Sequence, residues 1–140
     1  MNDHPRPGDM LDLDHEECVR RLTDAPWVRI AYTTGSGPRI LPINHLVVDG
    51  DVYFRTSPGS KLGNAVRGAP VALEVDGGDA PSRLGWSVVA YGRSSIVHDE
   101  ELIERLMLQP FEPWTLPGDK AFWVKVEIDD ITGRTIVPKH

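Results

Sequence analysis

The spacing of hydrophobic and polar positions changes period several times along this chain. Cys18, Val19 and Leu22 recur at helical spacing. Asp14 stands in front of them as an N-cap, with Glu17 three residues on as in a capping box. Leu13 and Cys18 occupy the two positions of a hydrophobic staple. Ala25-Pro26 ends this first helix, because the residue before a proline avoids helical backbone angles. From Trp27 to Thr33 the period drops to two. Val28, Ile30 and Tyr32 alternate with Arg29 and Ala31, which predicts a strand. Gly35-Ser36-Gly37-Pro38 is a turn cluster. Arg39 to Val48 forms the next strand, with Pro42 implying an edge, a bulge or a local break. Asp49-Gly50-Asp51 is a hairpin turn, and Val52 to Thr56 returns as a third strand.

Pro58 to Arg67 reads as a short helix capped by Ser57 and ended by Gly68. Leu62, Ala65 and Val66 form its buried face. Pro70 to Val75 is a fourth strand. Asp76 and Asp79 flank Gly77-Gly78, a pattern that suits a turn better than acid–base catalysis. Trp86 to Val97 is a fifth strand, with Gly92 marking a bend or bulge. Asp99 caps a helix carrying Leu102, Leu106 and an i,i+4 pair of Glu101 with Arg105. Gln109 to Lys120, with three prolines around Trp114, reads as a loop. Phe122 to Ile128 closes the series in strict alternation. Phe122, Val124, Val126 and Ile128 share one face; Trp123, Lys125 and Glu127 share the other. About six strands and three short helices make the chain mainly β with short helices (α+β). The spacing predicts a six-stranded antiparallel barrel, closed or nearly so, since open edges invite aggregation.

At 140 residues, one domain is expected: a flexible segment over 1–12, then a single domain over 13–140. With 40% hydrophobic and 26% charged residues the composition is that of a globular protein. The net charge of −6 argues against general nucleic-acid binding, though not against a local basic pocket. The lone Cys18 permits no disulfide within one chain, and it falls on the apolar face of the first helix as a small buried hydrophobe. No apolar run approaches the roughly 20 residues of a membrane span. Met1 to Gly8 is polar and proline-rich without a signal-peptide core and is expected to be loosely ordered, while the single cysteine makes a cytoplasmic location the expectation.

One stretch carries candidate chemistry. Arg55-Thr56-Ser57-Pro58-Gly59-Ser60-Lys61 places three hydroxyls, a glycine and two cations where a strand meets a helix. Free backbone N–H groups and the positive end of a helix dipole favour a phosphate there. Arg55 can hold a phosphate through two N–H groups, while Lys61 acts as a point charge. The segment matches neither a P-loop nor a Gly-x-Gly-x-x-Gly fingerprint, so a polar loop that merely caps a helix stays open on these residues alone. His45 reads as a structural strand histidine, and His15 and His98 as solvated residues at helix starts. No histidine pair has metal-ligand spacing, so no metal is expected. Of four tryptophans, Trp27, Trp86, Trp114 and Trp123, the loop-flanked Trp86 and Trp114 are the candidates to lie against a flat aromatic ligand.

Five motifs in this order resemble the pyridoxamine 5′-phosphate oxidase-like family, the FMN-binding split β-barrels. They are Asp24-Ala25-Pro26-Trp27-Val28-Arg29-Ile30-Ala31; Pro42-Ile43-Asn44-His45; Val52 through Leu62; Gly85 through Arg93; and the closing strand with Ile131-Thr132-Gly133-Arg134. The resemblance runs from about Leu13 to Arg134. It implies a homodimer with two interfacial FMN sites. By position, Arg55, Thr56, Ser57, Ser60 and Lys61 would hold the FMN phosphate. Pro42, Ile43 and Asn44 would lie along the isoalloxazine ring, partly through backbone groups, and Trp86 and Ser87 would approach from the partner subunit. The chain lacks a match to the basic C-terminal substrate motif of the true oxidases, so their substrate residues are not carried over, and pyridoxamine phosphate oxidation is not expected.

The resemblance therefore implies an FMN-dependent oxidoreductase that moves hydride between flavin and a small aromatic, quinone-like or nitro compound. Two alternatives remain open. One is a reductase using the deazaflavin F420 on the same barrel. The other is a non-catalytic protein that holds flavin or haem, with His45 or His98 as the haem candidates. No residue is singled out as catalytic.

Overall fold

The structure, a computed structural model, describes residues 4–111, 113–114, 118 and 120–138. Their elements are β1 (Met10–Asp12), α1 (His15–Asp24), β2 (Val28–Thr34), β3 (Gly37–Ile43), β4 (Leu46–Val48), β5 (Asp51–Thr56), α2 (Lys61–Ala65), β6 (Pro70–Asp79), β7 (Leu84–Ile96), α3 (Glu100–Met107) and β8 (Phe122–Ile136). The eight strands make one antiparallel sheet in the order β3-β2-β6-β7-β8-β5-β4, with β1 paired to β8 off that path. The expected class, mainly β with short helices, is the observed one. The expected count of six strands is not, and the sheet does not close: β3 and β4 are its two ends.

Local chemistry accounts for most of the elements. The Asp14 side chain accepts from the Glu17 N–H at 2.8 Å, as an N-cap should, and Cys18 packs buried beneath it. In β2, Val28, Ile30 and Tyr32 point into the core while Arg29 and Thr33 face outward. The β4–β5 turn has Asp49 at φ 52° and Gly50 at φ 83°, the left-handed pair that a two-residue hairpin requires. Gly92 sits at the register shift between β7 and β8. A Cβ there would come 2.1 Å from the Glu127 carbonyl oxygen, so no other residue fits without moving backbone.

Several expectations are corrected. Arg39–Val48 is not one strand: it breaks at Asn44-His45 into β3 and β4, which lie at opposite ends of the sheet. The prolines of β3, Pro38 and Pro42, fit because β3 pairs on one side only. The cap of α2 is Ser60, whose hydroxyl accepts from the Gly63 N–H at 2.9 Å, and not Ser57. β6 runs through Gly77-Gly78 to Asp79 instead of turning. The glycines are needed because a Cβ on Gly77 would meet the Trp86 indole at 2.5 Å. Asp76 is therefore a strand residue paired with Ser87, and only Asp79 borders the turn. Arg105 lies 3.6 Å from Asp49, not paired with Glu101. Residues 10–12, expected to be part of a flexible segment, form β1 along β8. Within 109–120 the described residues carry no helix or strand; 112, 115–117 and 119 lie outside the described residues.

The core has two parts. The larger is built on Ile30, Phe54, Leu73, Val88, Val124 and Val126, with Leu22 of α1 and Leu62 and Val66 around α2 closing it. The smaller joins Tyr53, Val97, Leu106 and Trp123. At this end β8 buries both faces, so Trp123 is inside despite alternating with the core-facing valines.

Candidate functional site

A cavity of about 640 Å³ opens between β3, β5, the turn into α2 and the segment that carries Phe111 and Trp114. Its apolar lining comes from Trp27, Leu41, Pro42 and Ile43 and from Phe111, Pro113, Trp114 and Ala121. The remaining lining is polar, from Arg29, Asn44, Arg55, Thr56, Ser57 and Ser60.

β5 and the following turn place the polar group. Arg55 is half-buried where β5 pairs with Trp123 of β8, and its guanidinium carbon sits 5.7 Å from the Trp123 ring centroid. Its Nε is buried without a hydrogen-bond partner, and Arg55 makes no ion pair among the described residues. A buried donor of this kind costs free energy until an acceptor arrives. The Ser60 hydroxyl donates to the Ser57 carbonyl at 2.8 Å and accepts from Gly63 N–H, and Thr56 Oγ1 lies 3.3 Å from it. These hydroxyls thus hold the turn together as well as facing the cavity. Ser57 is exposed at the rim.

Seven of the ten sequence-predicted site residues meet here: Pro42, Ile43, Asn44, Arg55, Thr56, Ser57 and Ser60. Three do not. Lys61 opens α2 on its exposed side, outside the lining. Trp86 lines a second cavity of about 510 Å³ with Arg20, Arg21, Asp24 and Asp76, under the Arg21 guanidinium at 4.7 Å. Ser87 lies half-buried on β7 opposite Asp76 and lines neither.

The sequence reading missed Trp27, Arg29, Leu41 and Phe111. Trp27 and Arg29 line both cavities. Arg29 bonds Glu74 at 3.1 Å and Asp76 at 3.3 Å, so its charge is compensated whereas that of Arg55 is not. Burial, then the neighbouring Asp76, holds the Glu74 carboxyl above the usual range. The outward position of Arg29 in the β2 alternation was the available signal; its partners on β6 are 45 and 47 residues away and were not readable.

Among the described residues no histidine lines the cavity. His45 is 8% exposed, and its Nε2 donates to the Leu22 carbonyl at 2.7 Å. Burial pushes its imidazole below the ordinary range and so favours the neutral ring. His98 is exposed. Cys18 is buried, and burial raises its thiol. Among the described residues no group of three His, Cys, Asp or Glu side chains is arranged to hold a metal ion, and no helix is long and apolar enough to cross a membrane.

Comparison with known proteins places this geometry. The model of the pyridoxamine 5′-phosphate oxidase family matches residues 14–135. The chain is 37% identical over 135 residues to the Rv0080 protein of Mycobacterium tuberculosis, covering 92% of this chain and 87% of that one. Among solved structures it is similar to the FAD binding protein from Mycobacterium smegmatis, with 34% identity, a TM-score of 0.80, and 91% of this chain and 98% of that chain covered. It is also similar to the protein DIP1874 from Corynebacterium diphtheriae, of unknown function, with 28% identity, a TM-score of 0.76, and 91% and 98% covered. A match along this whole span, with the cavity formed by the strands that carry its motifs, means that the chain belongs to the pyridoxamine 5′-phosphate oxidase family.

Proposed function

We propose that this protein binds a flavin nucleotide in the cavity between β3 and β5 and works as a flavin-dependent oxidoreductase. The observation that carries the reading is the buried, unpartnered Arg55 Nε beside three hydroxyls, in a cavity whose other lining is apolar and aromatic. A flavin nucleotide has the matching parts: an anionic phosphate and a flat, largely apolar ring. Arg55, Thr56, Ser57 and Ser60 would hold the phosphate, with Lys61 adding charge from the first turn of α2. Pro42, Ile43 and Asn44 would run along the ring, Asn44 through its backbone, since both ends of its side-chain amide are bonded within the chain. β3 pairs on one side only, so its outer backbone groups are available to a ring's polar edge.

The chain's own residues bind, orient and exclude water. Among the described lining residues the ionisable side chains are Arg29 and Arg55, and there is no carboxylic acid, histidine, cysteine or tyrosine. Arginine is a poor proton donor, so protons in a redox cycle come from solvent. When bound, a flavin supplies the redox chemistry itself. A planar second substrate, such as a small aromatic, quinone-like or nitro compound, suits the tryptophan-lined opening.

FMN is the cofactor that the motif order favours. FAD is the second reading, because the similar Mycobacterium smegmatis protein is an FAD binding protein. Both share the ring, the ribityl chain and the first phosphate, and so both use the same cradle; F420 is the third. In this reading the protein is a homodimer, and Trp86 and Ser87 reach the partner's flavin. Titration of the purified protein with FMN, FAD and F420 tests the proposal, followed by the double variant Arg55→Ala, Lys61→Ala. Saturable binding lost in a folded double variant is expected. Full occupancy in that variant would overturn the cradle.

A further inference from the structure

Trp114 is 71% exposed, so burial in a core does not fix its position, yet it lines the cavity. Two described contacts hold it. Its ring lies 4.9 Å from that of Trp27, centroid to centroid, at an interplanar angle of 58°. Its backbone N–H donates to Asn44 Oδ1 at 2.8 Å. The other end of the same amide, Asn44 Nδ2, donates to the Pro26 carbonyl at 3.1 Å. These partners fix the orientation of the amide. A backbone N–H can only donate and a carbonyl can only accept, so a flipped Asn44 would set donor against donor and acceptor against acceptor.

Asn44 therefore ties together three places that are distant in sequence: the end of β3, the Pro26-Trp27 junction before β2, and Trp114, 70 residues onward. Aspartate would keep the acceptor but put a carboxylate against the Pro26 carbonyl. Serine is too short to span both. An amide of this length is the side chain that serves both partners at once.

We propose that Asn44 is a positioning residue: it clasps Trp114 against Trp27 and so builds the aromatic wall of the cavity that selects a planar ligand. The identity of that ligand rests on the flavin reading above; the clasp does not. Tilted aromatic pairs at this separation attract beyond their area burial, but an exposed pair needs an anchor to stay formed. The Asn44 amide is that anchor.

Two indoles in contact give an exciton couplet in far-ultraviolet circular dichroism, which reports the pair without any ligand. The wild-type protein is expected to show the couplet, and Trp114→Phe, which keeps the backbone bond, identifies the signal by abolishing it. Asn44→Ala is expected to lose it while the sheet spectrum persists. The same variant is expected to bind FMN roughly tenfold more weakly, as the loss of about one net hydrogen bond implies. Trp114→Ala should weaken FMN equally, and adding Asn44→Ala to it should have no further effect, since the two act as a unit. An intact couplet in Asn44→Ala overturns the clasp. So does an Asn44→Ala effect on FMN that persists undiminished in the Trp114→Ala background, because Asn44 would then act on the ligand directly. Should Asn44→Ala not fold, Trp114→Ala and Trp27→Phe carry the test: each must abolish the couplet and weaken FMN, and FMN binding unchanged in both overturns the wall. If the wild type binds no flavin, the flavin reading fails while the couplet comparison still decides the clasp.

Discussion

Arg55 sets up a conflict between stability and binding that one substitution exposes. Its Nε is buried without an acceptor in the ligand-free chain. Leaving a buried donor unsatisfied costs about 1–3 kcal/mol. Against this, the guanidinium lies 5.7 Å from the Trp123 ring, a contact worth about 0.5–1 kcal/mol. Arg55→Met keeps the apolar stem as far as the position of Nε but removes both the orphan donor and the charge. The balance predicts that the ligand-free variant is more stable than wild type by about 1 kcal/mol. For a chain of this size that is a rise in Tm of roughly 3 °C. Binding should move the other way. A charge-assisted hydrogen bond to a phosphate contributes about 1.5–3 kcal/mol, so flavin affinity should fall by roughly 10- to 150-fold. Differential scanning calorimetry of the flavin-stripped proteins and fluorescence titration of FMN measure the two halves. A ligand-free variant less stable by more than about 1 kcal/mol would show that Arg55 is satisfied within the fold. Unchanged FMN affinity would refute its role in the cradle.

Three further outcomes follow from the geometry. Gly92→Ala must push a Cβ into the Glu127 carbonyl oxygen 2.1 Å away, so it should destabilise by more than about 2 kcal/mol in urea unfolding; a midpoint equal to wild type would contradict the tight bulge. Asp14→Ala removes the cap of α1 and should cost about 1 kcal/mol by the same assay, whereas Asp14→Asn should cost little. The pH dependence has two windows. His45 is depressed below 6.5 by burial, so its stability contribution is present above that value and lost as pH falls below it. Glu17 is lowered from 4.5 to about 2 by its bonds to Arg20 and Arg21, so its contribution is present above 4.5 and lost as pH falls toward 2. Comparing urea midpoints of wild type and His45→Gln from pH 7.5 to 5.5 checks the first window. Parallel curves would contradict it.

What could be read from the sequence was what neighbouring residues decide. The Asp14 cap, the β2 alternation, the Asp49-Gly50 turn and the Gly92 bulge are local conflicts with local solutions, and each stands where the pattern put it. What failed depended on distant partners. Gly77-Gly78 looks like a turn because nothing nearby shows that Trp86 will cross it. β8 was expected to run from Phe122 to Ile128, the stretch of strict alternation, but pairing with β7 carries it to Ile136. The break at Asn44-His45 sends β3 and β4 to opposite ends of the sheet, although both halves look equally extended. The site follows the same division. The run Arg55 to Ser60 was legible because a strand end, a cation and three hydroxyls are contiguous. Trp27 and Arg29 were not, because only the tertiary fold sets them against β3 and β6.

The central claim is that the cavity between β3 and β5 takes a flavin nucleotide. The most direct measurement is a fluorescence titration of freshly purified, flavin-stripped protein with FMN, FAD and F420, read together with its visible absorption spectrum. The account predicts saturable binding of FMN or FAD, one per chain, with quenched tryptophan emission as the ring meets Trp27 and Trp114. Failure of all three to bind, with the chain folded, would contradict it.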